Sequence, residues 1–116
     1  MGRGYRDLIV WQKGKKFCVD TYGLTKNFPE TERFGLVAQL QRAAVSIPSN
    51  IAEGSKRSSK KDQNHFYTIA YGSGAEIETQ LEIAKELFPS LKKKIESLEK
   101  DLLEIMKMLN KLKSIV

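Results

Sequence analysis

An all-α chain, folded as an antiparallel up-down four-helix bundle, is what three features of this sequence predict. Apolar residues recur at steps of three and four through four separate stretches. The breaks between those stretches carry proline, glycine or short polar runs. No segment alternates apolar with polar residues as a half-buried strand does. At 116 residues and 41% hydrophobic, the chain is long enough for one continuous core and too short for two, so residues 1–116 read as a single domain.

The first stretch, from Leu8 to about Lys26, sets Val10, Gly14, Phe17, Thr21 and Leu24 on one face, with Trp11, Cys18 and Tyr22 widening it. Phe28-Pro29 ends it, because a residue followed by proline avoids helical geometry. Pro29, with Glu30 and Glu32 behind it, suits the first turn of a second helix. That helix is expected from about Pro29 to Glu53, with Phe34, Val37, Leu40, Ala44, Ile47 and Ile51 turned to the core and Gly54 as its stop. Pro48 lies inside it and removes one backbone hydrogen bond.

Residues 54–61, GSKRSSKK, have no hydrophobic period and read as an exposed basic loop. Ser59, three residues before Asp62, then caps a third helix, whose core positions are Phe66, Ile69 or Ala70, Ser73, Ile77, Leu81, Ala84 and Phe88. Gly72 and Gly74 interrupt it. A glycine inside a helix costs about 1 kcal/mol against alanine, so a close approach by a neighbour, or a bend, is expected there. This G-x-G is no nucleotide fingerprint, since no strand precedes it and the third glycine is missing. After Pro89-Ser90, a heptad seam runs through Leu91, Ile95, Leu98, Leu102, Ile105, Leu109, Leu112 and Val116, and Leu103, Met106 and Ile115 broaden it.

Along the second helix, Gln39, Arg42, Ser46, Asn50 and Glu53 share a polar face beside the apolar one, as suits a helix with two different neighbours. Antiparallel pairing about a turn near Arg57 brings Gln39 opposite about Glu76 and puts Arg42 within reach of Glu76. In a dry interior such a pair fixes register, and Arg42→Ala is expected to destabilise the chain by several kcal/mol. The same groups would otherwise line a pocket or channel.

Lys and Arg number 20 against 14 Asp and Glu, a net charge of +6, which suits an anionic partner such as RNA or DNA and equally describes a solvated lysine face. If the start of the first helix meets the second loop at one end of the bundle, Lys13, Lys15, Lys16, Lys56, Arg57, Lys60 and Lys61 make one basic patch that holds phosphates with little sequence readout. One His and one Cys give no basis for a metal, a cofactor or a catalytic residue. His65 reads as structural, and Arg57 lies too far from it to form a ribonuclease pair. Cys18, among Phe17, Val19 and Tyr22, reads as a buried thiol and fits the reducing cytoplasm. No apolar run reaches the ~18 residues a membrane span needs, and Arg6 stands where a myristoylation signal has Ser or Thr.

DLIVWQKGKKF (7–17), FPETERFGLVAQLQRAAVSIPSNIAEGSKR (28–57) and YGSGAEIETQL (71–81), above all R-A-A-x-S-I-P-x-N-I-A-E-G from Arg42 to Gly54, resemble the four-helix bundle family of bacterial 23S rRNA intervening sequence proteins. The resemblance covers nearly the whole chain. It implies a ring-like homopentamer with no established enzymatic activity. Similar proteins are accessory subunits of diversity-generating retroelements, where a basic ring binds the reverse transcriptase and nucleic acid. Gly74 departs from the larger apolar residue expected after Gly-Ser, which bears on the regularity of the third helix.

Overall fold

The computed structural model describes residues 2–114. Four α-helices follow in order: α1 (Ile9–Thr25), α2 (Leu36–Ser55), α3 (Lys60–Leu87) and α4 (Lys92–Ser114), with no strand among the described residues. α1 and α3 each lie against both α2 and α4, which is the cyclic order of an up-down bundle. The 28 residues of α3, at ~1.5 Å each, run nearly the whole 44 Å of the long axis. Val116 of the heptad seam and Ile115 beside it lie outside the described residues.

The face read for the first helix is the buried face of α1: Val10, Gly14, Phe17, Thr21 and Leu24, with Thr25 added. Thr21 is fully buried, and its hydroxyl donates to the Phe17 carbonyl at 2.8 Å, so no polar group there is left bare. Trp11 and Cys18 pack against the core from its margin. Burial pushes the Cys18 thiol up from its ordinary value, away from the reactive thiolate.

The second helix starts later than its sequence suggests. Pro29 caps a single 3-10 turn, Glu30–Glu32, and α2 begins only after Gly35. Glu32 turns back to accept the Leu36 amide at 3.4 Å, one of the donors a helix start leaves open. Phe34 therefore belongs to the connection and not to the core: it is 87% exposed, with the Arg33 guanidinium 5.2 Å from its ring. Phe28 closes that end of the core instead, its ring 4.9 Å from Phe88.

From Leu40 onward the face of α2 is fully buried at Leu40, Ala43, Ala44, Ile47 and Ile51. Gly54 is no stop signal, because α2 continues through Ser55 and positive φ occurs only at Gly4 among the described residues. Its role is clearance. A β-carbon on Gly54 would stand 2.7 Å from Cε1 of Tyr67 and 3.1 Å from the Gln63 carbonyl oxygen. The Tyr67 ring fills that gap, which also corrects the register of α3: Tyr67 and Ala70 are buried, whereas Phe66 is only half-buried and Ile69 is 39% exposed. A β-carbon on Gly74 would run into Met106 of α4, so that glycine marks a close approach by a side chain and α3 passes it unbroken. Gly72 meets nothing within 4 Å.

Between α2 and α3 the polar seam is part-buried at Ser46, Asn50 and Ser73 and exposed at its ion pair, so the pair does not lie in a dry interior. The Ser73 hydroxyl donates to Ser46 at 2.7 Å, and Asn50 donates to the same hydroxyl and to the Ser46 carbonyl. Arg42 reaches Gln39 at 3.0 Å and Glu76 at 3.1 Å, but the side chains of Arg42 and Glu76 are 59% and 47% exposed. An ion pair so wet contributes little, since water already solvates both charges.

Three substitutions separate these roles in urea or thermal unfolding. Gly54→Ala is expected to destabilise by about 1–3 kcal/mol through overpacking against a rigid ring and a backbone carbonyl; unchanged stability would mean that the Tyr67 ring moves aside freely. Gly72→Ala is expected to stabilise by about 0.5–1 kcal/mol through helix propensity alone, and a loss would reveal a surface from another chain against it. Arg42→Ala is expected to change stability by less than ~1 kcal/mol, which revises the several kcal/mol that a buried pair implies.

Candidate nucleic-acid interface

Up-down order brings three segments to one end of the bundle: the start of α1, the connection from α2 to α3, and the end of α4. The Lys56 ammonium lies 5.7 Å from the Tyr5 ring, which joins the first two. One cleft, lined by Arg3, Gly4, Tyr5, Arg6, Leu8, Ser55 and Lys56, runs between them. A second, lined by Leu8, Ile9, Val10, Met108, Lys111 and Leu112, joins α1 to α4.

Local chemistry fixes the chain before α1. Gly4 takes φ +68°, a left-handed turn open to glycine, and opens a 3-10 turn over Gly4–Asp7. The Asp7 carboxylate accepts from the Arg3 backbone amide at 2.6 Å and from Arg3 Nε at 3.1 Å, and these bonds hold its carboxyl below the usual range. Gln12 donates to the Arg6 carbonyl at 2.8 Å. Tyr5 and Trp11 meet edge to face, 5.1 Å between centroids. Arg6 lies 4.7 Å from the Tyr5 ring, and Lys15 lies 5.5 Å from Trp11.

The seven residues read as one patch divide into four surroundings. Lys13 and Lys16 turn into the groove between α1 and α4, where Asp20, Asp101 and Glu104 meet them. Lys13 pairs with Glu104 at 2.8 Å and Lys16 with Asp20 at 2.7 Å. The hydrogen bond from Lys13 holds the Glu104 carboxyl below its ordinary value, and the one to Asp20 pushes the Lys16 ammonium up. Lys15 and Lys56 belong with the aromatic rings. Arg57 pairs with Glu53 at 2.7 Å and lies 4.7 Å from the Phe66 ring, so Glu53 serves this end of the bundle while Gln39, Arg42, Ser46, Asn50 and Glu76 run along the α2/α3 edge.

Lys60 and Lys61 are exposed in the first turn of α3, where the helix dipole is already positive and Ser59 accepts the Asp62 amide at 3.1 Å. Two ammonium groups thus share that turn with one carboxylate, Asp62.

Residue spacing left out Tyr5 and Trp11 as members of this end, and Lys113 with them. The signal for Lys113 was present in the topology, because an up-down fourth helix must finish beside the first. Its ammonium lies 4.4 Å from the Tyr71 ring. Among the described residues, no three His, Cys, Asp or Glu converge as a metal-holding group, and no helix is long and apolar enough to cross a membrane.

Residues 6–111 match the family described as 23S rRNA-intervening sequence protein. No curated protein matches the chain. Among solved structures, a crystal structure of a protein of unknown function from the S23 ribosomal protein family of Bacteroides thetaiotaomicron VPI-5482 is similar at 29% identity. The match covers 87% of this chain and 94% of that one, with a TM-score of 0.77. Four helices in up-down order, together with a family match across almost their entire length, establish that this chain belongs to the 23S rRNA-intervening sequence protein family.

Proposed function

We propose that the chain is a non-enzymatic, oligomeric scaffold that contacts nucleic acid by charge through the end of the bundle where α1 starts and α3 begins. The observation that carries this reading is the gathering of Arg6, Lys15 and Lys56 in clefts that no carboxylate lines, with Arg3, bonded to Asp7, on the walls of both and Lys60 and Lys61 exposed at the same end. Phosphates would be held by ammonium and guanidinium groups that release counterions on binding, which gives affinity without sequence readout. Lys13 and Lys16 join only by leaving their carboxylates. Both pairs are exposed and therefore weak, so the exchange is an easy one.

A ring-like homopentamer is the assembly this reading takes from the family. Side chains that one copy leaves bare support self-association: Ile9, Val19, Val45, Ile69, Ile83 and Leu103 are each between 39% and 64% exposed. A ring repeats the basic end in every subunit, and linked weak contacts become a firm one. The second reading is an accessory subunit that docks on a protein such as a reverse transcriptase. The nearly wholly apolar cleft of Leu8, Ile9, Val10, Met108 and Leu112 favours it, because such a lining suits a protein side chain better than a phosphate.

Light scattering at micromolar concentration is expected to give a closed oligomer, and a monomer contradicts the ring. Replacing Lys56, Arg57, Lys60 and Lys61 together by Gln is expected to weaken RNA and DNA binding alike. The slope of log K against log salt should flatten by about 0.7–0.9 per lost phosphate contact, with helicity and mass unchanged. An unaltered salt slope would mean that these four groups are a solvated loop, leaving the docking subunit as the better account.

A further inference from the structure

We propose that this basic end selects single-stranded nucleic acid by stacking unpaired bases on Tyr5 and Trp11, a refinement that rests on the charge-contact reading above and names its substrate class. Charge alone treats duplex and single strand much alike. Two half-buried aromatic rings inside the basic cluster do not, because a base offers its flat face only when it is outside a duplex stack.

The geometry is that of a stacking platform. Two clefts flank the rings: one of about 530 Å³ reaches Trp11, one of about 320 Å³ reaches Tyr5, and Arg3 and Arg6 line both. Trp11 is braced from below by the core. Tyr5 is held on its turn by the Leu8 amide, which donates to the Tyr5 carbonyl at 3.0 Å. A platform fixed in advance loses little freedom when it is covered.

In the unbound chain, Arg6 and Lys56 lie near the Tyr5 ring and Lys15 near Trp11, at 4.7, 5.7 and 5.5 Å. An exposed cation–aromatic contact is weaker than base stacking, so an arriving base takes the ring and the displaced cation moves to the adjoining phosphate. Every group then has a partner in the complex. The edge-to-face angle of 68° also means that a base on one ring meets the edge of the other instead of a second parallel plate.

Trp11 is the chain's single tryptophan, so its fluorescence reports on the site directly. The full chain is titrated at one fixed salt concentration with a homopyrimidine DNA strand, an abasic strand of equal length and charge, and a duplex of that length. Anisotropy of labelled strands gives the affinities. The base-bearing strand is expected to quench Trp11 and to bind roughly tenfold or more tighter than the abasic strand. Tyr5→Leu should lose most of that margin with the salt slope unchanged, while Tyr5→Phe, which keeps the ring, should bind as the parent does.

Equal affinity for abasic and base-bearing strands, or tighter binding of the duplex, overturns stacking and leaves the charge reading intact. No binding of any strand at low salt overturns both.

Discussion

The closeness of α2 to its two neighbours is the constraint on which the rest of the structure depends. Where α2 meets α1, a β-carbon on Gly14 would lie 3.2 Å from Ile47 and 3.8 Å from both Ile51 and the Pro48 backbone. Toward α3, Gly54 leaves room for the Tyr67 ring and Ser46 comes within 2.7 Å of Ser73, while Ala43 and Ala44 keep the buried part of α2 small. Helix axes can approach this far only where side chains are small, and the bulk of the core is then made up by Leu40, Ile47, Ile51, Ile77 and Leu81. The motif that identifies the family, Arg42 to Gly54, is thus chiefly a set of clearances and register contacts on one helix. The Ser46–Ser73 bond and the fit of the Tyr67 ring into the gap at Gly54 set that register between α2 and α3. A slip by one residue would bring a larger side chain against Tyr67 in place of Gly54.

That register positions the chemistry. With α2 fixed against both neighbours, its end at Ser55 comes beside Tyr5, and the turn to α3 presents Lys56, Lys60 and Lys61 at the same end. Elsewhere several cations are held by carboxylates. Lys85 bonds Glu82 at 2.9 Å and Glu99 at 2.8 Å, which pushes its ammonium far up, and the flank between α1 and α4 is matched by Asp20 and Glu104. What sets the end where α1 starts and α3 begins apart is that the half-buried rings of Tyr5 and Trp11 lie among its cations Arg6, Lys15 and Lys56. Lys92, Lys93 and Lys94 open α4 at the other end, close in sequence to the Glu82 and Glu86 end of α3.

How much of this was legible depended on whether one helix or two decided the outcome. The buried face of α1 follows from its own 3.6-residue period, and so does most of α4, where Ile95, Leu98, Leu102, Ile105 and Leu109 are all buried. The start of α2 was misread because Pro29-Glu30-x-Glu32 is a sound helix start on its own; only Gly35 and the geometry of the connection confine it to a 3-10 turn. On α3 the choice between Phe66 and Tyr67 depended on the gap at Gly54, a feature of another helix, and hydrophobicity alone favours the wrong ring. Arg42 and Glu76 were matched correctly across two helices, yet their exposure is a matter of bundle width that spacing does not carry. The basic end was legible as topology. Its division into paired and unpaired cations was not, because Glu104 lies on the last helix, far along the sequence from Lys13, and meets it only in the fold.

The central claim is spatial: nucleic acid is held at one end of the bundle and not over the positive surface at large. Acetylation rates of individual lysines, read by mass spectrometry with and without a bound single strand, test it most directly. The account predicts slowed acetylation at Lys15, Lys56, Lys60 and Lys61, with Lys92, Lys93 and Lys94 as reactive as in the free chain. Equal protection of Lys92, Lys93 and Lys94, or no protection at the first four under conditions where the strand is bound, would contradict it.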